Sequence, residues 1–309
     1  PVPRSVLLVG EAGVGKTAIV RALGPRLREA GWVLFEAGEP ELVAGQSLVG
    51  QLEERLLKLV KQLGDRRRVL WFIPNFHALQ WAGRTMFVES NALDILLPHI
   101  DSGNIVVLGE TRPGPLERLL LAKPRCQHAL EIRRIEPLSA VASLALARAW
   151  ALQHRPAEGD TLVPDATLRE AQQLAQQYFP DQASPGNLLR LLELASKRRQ
   201  AAGGADTCPL GLDDLLETLG ELTGLPASIL DDRHDLHLDA LQRHFDSRIL
   251  GQTEAVDCLV ERLAMIKAGV TDPNRPLGVF LFAGPTGTGK TAIAKALAEF
   301  LFGSAERMI

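Results

Sequence analysis

The sequence predicts an α/β protein: a parallel sheet flanked by helices, then an all-helical domain, then the opening of a second module like the first. Three observations carry this. The loop Gly10-Glu11-Ala12-Gly13-Val14-Gly15-Lys16-Thr17 fits the pattern G-x-x-x-x-G-K-[ST] without a mismatch. The same pattern returns at Gly284-Pro285-Thr286-Gly287-Thr288-Gly289-Lys290-Thr291. Between the two, apolar strands alternate with helical patterns up to Pro137, and from there the β signal stops.

The first loop follows an apolar run, Ser5 to Val9, and precedes a helical run starting at Thr17. Strand, glycine-rich loop and helix together form the context that makes the motif a phosphate cradle. The glycines let backbone N–H groups curl around phosphate oxygens, and the helix N-terminus adds partial positive charge. Lys16 is expected to reach the β- and γ-phosphates, and the Thr17 hydroxyl to ligate Mg²⁺. The second loop repeats this after the strand Val279 to Ala283, with Lys290 and Thr291 in the same roles. ATP and Mg²⁺ are therefore the expected cofactors. The competing explanation is a chance glycine-rich turn, and a second copy in a matching context argues against it.

Taken in order, Gly24-Pro25 interrupts the first helical pattern, which Leu27 and Ala30 resume towards Gly31. Trp32 to Ala37 reads as the next strand. A loop with two glycines, Gly45 and Gly50, leads into a helix from Gln51 to Leu63. Its Leu52, Leu56, Val60 and Leu63 share one face, and Glu54 and Lys58 pair on the other. Arg66-Arg67-Arg68 precedes the strand Val69 to Ile73 and reads as its solvated start rather than a nucleic-acid patch. A helix over Asn91 to Ile100 and a strand over Asn104 to Gly109 follow, the latter ending in Glu110-Thr111-Arg112.

Ser139 to Gln153, Pro164 to Gln177 and Asn187 to Arg199 are helical by pattern and make a small helical domain. Gln200 to Asp206 reads as a flexible joint. Shorter helices over Leu212 to Leu222 and Leu238 to Phe245 follow, and a longer one starts at Gly251. No heptad run occupies residues 200–250, so no coiled-coil insertion is expected there. The expected domains are 1–136 (α/β), 137–203 (helical), 204–245 (linker) and 246–309 (second module). Few residues follow Thr291, so this second module reads as incomplete.

Composition narrows the function classes. Length alone suggests two domains for 309 residues, and 46% hydrophobic with 23% charged residues is ordinary for a globular protein. There is no apolar run of membrane-spanning length and no signal-peptide pattern. A net charge of −3 gives no general reason to expect nucleic acid as a partner. Cys126, Cys208 and Cys258 have neither metal-site nor disulfide spacing, which fits thiols in a reducing cytoplasm.

Several stretches resemble the Clp-type double-ring AAA+ unfoldases, of which ClpA and ClpB are named members. Leu42-Val43-Ala44-Gly45 with Gly50 to Arg55 resembles the first-ring pore loop and its helix. Asn91 to Pro98 with Val107 to Thr111 is similar to the sensor-1 region, and Ile135-Glu136-Pro137 to the opening of the helical lid. The most specific part is the end of the chain. Leu219 to Pro226 looks like the start of the second ring, Arg248 to Val256 like its adenine-pocket segment, and Asp272 to Gly278 like the approach to its P-loop. The resemblance implies the AAA+ form of the P-loop fold, with Ile249 and Leu250 against the adenine and Thr111 near the γ-phosphate. The missing insertion between modules is the ClpA-like layout.

Two motifs depart from the family. Its second ATPase motif is an apolar strand ending in Asp-Glu, the Asp helping to hold Mg²⁺ and the Glu activating water. Here Val69 to Ile73 runs into Pro74-Asn75. Proline has no side-chain oxygen, and asparagine cannot take a proton from water. The next acidic residue, Glu89, is too far along to substitute by slippage. His77 matches a histidine common in the family after Asp-Glu, which favours a structural role over that of a base. The pore loop reads Ser47-Leu48-Val49, where the family has an aromatic grip. For the arginine finger, Arg125 best matches the family's pattern, with Arg133 and Arg134 as rivals.

The resemblance implies a homo-hexamer that acts on protein substrates, with a peptidase or an adaptor as further partners. The first module would bind ATP and hydrolyse it poorly. The second would be the motor, its catalytic acids expected beyond Ile309. The alternative is a nucleotide-binding assembly scaffold without chemistry, in which bound ATP stabilises the assembly by mass action. A GTPase is disfavoured because no Asn-Lys-x-Asp motif occurs. A helicase or clamp loader rests on fold analogy alone, with no basic, aromatic-interleaved stripe to support it.

Overall fold

A computed structural model describes residues 4–44, 51–66, 68–83, 91–154, 161–201, 209–223, 230–231, 238–268 and 278–302. The pore-loop residues 45–50, Glu89, the joint glycines Gly203 and Gly204, and the approach segment 272–277 lie outside the described residues. The chain forms two compact units, Pro1–Leu138 with Gln182–Gly186, and Ser139–Asp181 with Asn187–Ile309.

The first unit is a five-stranded sheet in the order β2-β3-β4-β1-β5, formed by β1 (Val6–Val9), β2 (Val33–Glu36), β3 (Val69–Ile73), β4 (Val106–Thr111) and β5 (Glu131–Arg134). Every ladder is parallel. Helices α1 (Lys16–Glu29), α2 (Glu39–Val43), α3 (Gln51–Asp65), α4 (Ala92–Asp101), α5 (Pro113–Ala122) and α6 (Cys126–Ala129) connect the strands. The strand period of two sorts the core into two faces. Leu7, Val9, Trp71, Ile73 and Val107 join one cluster, with Leu56 of α3, Leu96 of α4 and Leu119 of α5. Leu8, Leu70, Phe72 and Leu108 join another, with Val20 of α1. Buried Trp71 donates its indole N–H to the Ala37 carbonyl at 3.0 Å, so no polar group is left unpaired in that cluster's largest side chain.

Several elements differ from the sequence expectation. Helix α1 runs unbroken through Pro25. An interior proline costs about 3 kcal/mol of helix stability, and packing of Val20, Leu23 and Leu27 on the sheet offsets it. Helix α5 was not expected, and neither was β5. Three of the four β5 residues are charged, so no apolar alternation marks it. Among the described residues it is an edge strand paired with β1 alone, where charged side chains remain solvated.

The second unit is helical. Helices α7 (Ala140–Gln153), α8 (Asp165–Tyr178), α9 (Gly186–Ala201), α10 (Leu212–Thr223), α11 (Leu238–Asp246), α12 (Thr253–Lys267) and α13 (Lys290–Phe302) contribute to one apolar core. Ser139 caps α7 by accepting from the Ala142 N–H at 3.3 Å, where the sequence pattern starts that helix. The strand expected over 279–283 is not formed as one. Among the described residues no strand pairs with it, and Val279 and Leu281 are 85% and 91% exposed. A strand is made by its ladder, and an apolar run without a neighbour does not qualify.

Candidate nucleotide-binding site

In a parallel α/β sheet, ligands bind beyond the carboxyl ends of the strands. Strand β1 lies between β4 and β5, and the loop Gly10–Thr17 leaves its carboxyl end. The Gly10 N–H donates to the Thr111 carbonyl at 3.2 Å, tying the loop to β4. Gly15, at φ 98°, sits at the N-cap of α1, and no side chain caps that helix. Its first-turn N–H groups therefore face the loop's concavity, as an anion requires. Gly13 has φ 87°, and a Cβ there would lie 2.7 Å from the Ala183 carbonyl oxygen. Only glycine meets both demands.

Ala183 belongs to a segment that no sequence pattern places here. The Ala183 N–H donates to the Ala12 carbonyl at 2.7 Å, and the Gly186 N–H to the Gly13 carbonyl at 3.0 Å. Residues 182–186 thus return to the first unit and brace the loop from far along the chain. No phosphate motif marks them, so composition offered no signal.

The Lys16 Nζ donates to the carbonyls of Gly10 and Glu11, both at 2.8 Å, and lies across the loop. Burial pulls its ammonium below the usual lysine range, opposed by the carboxylates of Glu110 and Glu11 and aided by Arg112. The Thr17 hydroxyl lies 2.9 Å from each carboxylate oxygen of Glu110. Glu110 was legible only as the residue after a strand, and its approach to Thr17 was not anticipated.

Pro74 and Asn75 stand at the tip of β3, where the family motif has its two acids. Asn75 is exposed and holds φ 50°, ψ 48°, opening a short 3₁₀ turn over Phe76–Gln80. Asparagine tolerates this left-handed conformation better than most residues. Thr111 is buried, and its hydroxyl lies 3.0 Å from the His77 Nδ1. Burial holds the His77 imidazole below its usual range, with the charges of Arg112 and Arg118 adding to it, so the ring is neutral at pH 7. Arg125 is exposed, 3.9 Å from the Asp101 carboxylate; Arg133 pairs with Glu131, and Arg134 is exposed.

The second loop copies the first locally. The Lys290 Nζ donates to the carbonyls of Gly284 and Pro285, at 2.8 and 2.5 Å. Gly287 and Gly289 have φ 88° and 90°. Thr291 starts the same turn of α13 as Thr17 does of α1, and the Thr286 and Thr288 positions complete the loop. Within this unit Gln252 donates to the Thr288 carbonyl at 3.1 Å, bringing the segment of Ile249 and Leu250 up to the loop. Ile249 is buried and Leu250 is 87% exposed.

These residues fit Mg²⁺ with a nucleotide. The donors beside the first loop are a hydroxyl and a carboxylate, the hard oxygens that Mg²⁺ takes. Among the described residues no group of three or more His, Cys, Asp or Glu could hold a metal unaided. A cation would therefore arrive with phosphate oxygens, as it does at P-loops.

A family model described as the AAA ATPase domain matches residues 1–96. The ATP-dependent Clp protease ATP-binding subunit ClpL of Staphylococcus aureus is 27% identical over 365 aligned residues, covering 98% of this chain. Hsp104 in its closed state with ATPγS and FITC-casein matches with a TM-score of 0.66 at 26% identity, over 98% of this chain. Over nearly its whole length the chain is similar to Clp-type AAA+ ATPases. The extended Saccharomyces cerevisiae Hsp104:casein complex matches similarly, with a TM-score of 0.65 at 26% identity. The chain spans about half the length of these Clp-type relatives, 51% of ClpL and 52% of Hsp104. The aligned stretch exceeds this chain's 309 residues, so ClpL carries additional residues inside the matched span.

Proposed function

We propose that the first module binds Mg²⁺·ATP and hydrolyses it slowly, within a Clp-type subunit that assembles as a hexamer and acts on protein chains. One observation carries the reading: an intact P-loop stands beside a β3 tip that ends Ile73-Pro74-Asn75, with no carboxylate in either motif position. A lost general base costs about 10²–10⁴ in rate. Binding needs only the loop, Lys16 and Thr17. The matched structures of Hsp104 with ATPγS and casein and of Hsp104 with ADP support a nucleotide-driven role with protein substrates.

In this reading residues 1–136 and 137–203 are the first AAA+ domain and its lid, 204–245 the linker, and 246–309 the opening of the second module. That second module supplies the turnover. Arg125 at the surface serves a neighbouring subunit's nucleotide. Thr111, held by neutral His77, senses the γ-phosphate through small shifts of the β4 end. A peptidase or an adaptor completes the assembly. Taken alone, residues 1–309 act as a nucleotide-held scaffold, which the slow first site favours.

The test measures binding of a fluorescent ATP analogue and ATP turnover together, on this chain and on Lys16→Ala. Binding that falls in Lys16→Ala, with turnover far below a fully equipped AAA+ site, is the expected result. Rapid turnover that Lys16→Ala abolishes would overturn it.

A further inference from the structure

The alternation of the sheet places a carboxylate where the strand motif lacks one. On β1, β3 and β4 the residues Leu8, Leu70, Phe72 and Leu108 face α1, while Leu7, Trp71, Ile73 and Val107 face the other way. Continuing that alternation, Pro74 and Glu110 both fall on the α1 face. The β3–β4 ladder pairs Ile73 with Gly109, so the next level sets Pro74 beside Glu110. Glu110 is thus the lateral neighbour of the vacant acid position. Thr111, one residue on, falls on the opposite face and meets His77 instead.

The Thr17 hydroxyl has one proton, and it donates that proton to Glu110, at 2.9 Å from either oxygen. This leaves the Oγ1 lone pairs for a cation and places a negative charge beside it. We propose that Glu110, on β4, takes over the Mg²⁺-holding task of the acid missing from β3, acting as a positioning residue through Thr17. The proposal rests on the reading that Gly10–Thr17 binds Mg²⁺·nucleotide. It does not restore hydrolysis. A carboxylate engaged at the first turn of α1 is tied to the metal side of the phosphates, and the water-activating position at Asn75 stays without a base. The first site therefore keeps metal-dependent nucleotide binding while its turnover stays slow.

The test uses the full chain carrying Lys290→Ala, so that the second loop does not contribute. Affinity for a fluorescent ATP analogue is measured in Mg²⁺ and in EDTA. Glu110→Gln preserves shape and the bond to Thr17 while removing the charge. It is expected to reduce the Mg²⁺ enhancement by about 10–100-fold, the usual cost of a lost second partner at a metal site, with affinity in EDTA unchanged. Adding Pro74→Asp to Glu110→Gln is expected to return much of the enhancement from the neighbouring strand. An unchanged Mg²⁺ enhancement in Glu110→Gln would overturn the assignment while leaving the binding reading intact. Affinity that falls equally in Mg²⁺ and EDTA would mark a structural role and also overturn it. Binding insensitive to Lys16→Ala would remove the underlying reading, and this inference with it.

Discussion

The two P-loops of this chain fold alike and are surrounded differently. In each, a lysine Nζ donates to two carbonyls of its own loop, and the two inner glycines sit near φ 90°. The first rises from a strand with ladders on both sides, and β4 brings Glu110 to Thr17. The second follows residues 279–283, where Val279 and Leu281 are exposed and no ladder forms among the described residues. The comparison separates what a motif builds locally from what a sheet delivers. The lysine and the loop geometry are local. The carboxylate beside the loop threonine Thr17 belongs to a neighbouring strand.

Rebuilding the missing acids would break the comparison most strongly. In the chain carrying Lys290→Ala, Pro74→Asp with Asn75→Glu is expected to raise ATP turnover by about 10²–10⁴. Steady-state phosphate release reads this directly, and an unchanged rate would show that the slow step lies elsewhere. The gain has a structural cost, because glutamate at φ 50° is strained by about 1–2 kcal/mol.

Next in size is the loop lysine. Lys16→Ala is expected to weaken nucleotide binding at the first loop by about 10–100-fold, the scale of a charged hydrogen bond. Titration in the Lys290→Ala chain isolates that site. A residual affinity close to that of the parent would place the nucleotide elsewhere.

Two glycine variants sharpen the contrast. Gly13 and Gly287 share a positive φ, but a Cβ at Gly13 meets the Ala183 oxygen at 2.7 Å while one at Gly287 meets nothing within 4 Å. Gly13→Ala is therefore expected to cost about 1–3 kcal/mol more in denaturation than Gly287→Ala. Equal costs would mean that backbone strain alone sets the requirement.

The smallest effect is a pH dependence. His77 has its pKa lowered in the folded chain, so it folds neutral while the unfolded imidazole protonates near its usual 6.5. Its contribution is present above that value and is lost as pH falls through the folded pKa. His77→Gln should flatten the loss of stability of the first unit below pH 6.5. An unchanged profile would assign the acid sensitivity to other groups.

The sequence by itself determined both P-loops, the strands β1, β2, β3 and β4, the helices α7, α8 and α9, and the absence of acids at Pro74 and Asn75. These features are written in contiguous residues, as glycine spacing, apolar runs and an absent side-chain oxygen. It gave the Clp-type resemblance for the same reason. The tertiary structure alone decided that charged β5 joins the sheet, that α1 passes through Pro25, that residues 182–186 brace Gly13, and that Glu110 meets Thr17. Each of these depends on a partner distant in sequence. The last depends on a ladder register and a side-chain period of two, which fix the face of Glu110 only once β3, β4 and β1 lie side by side.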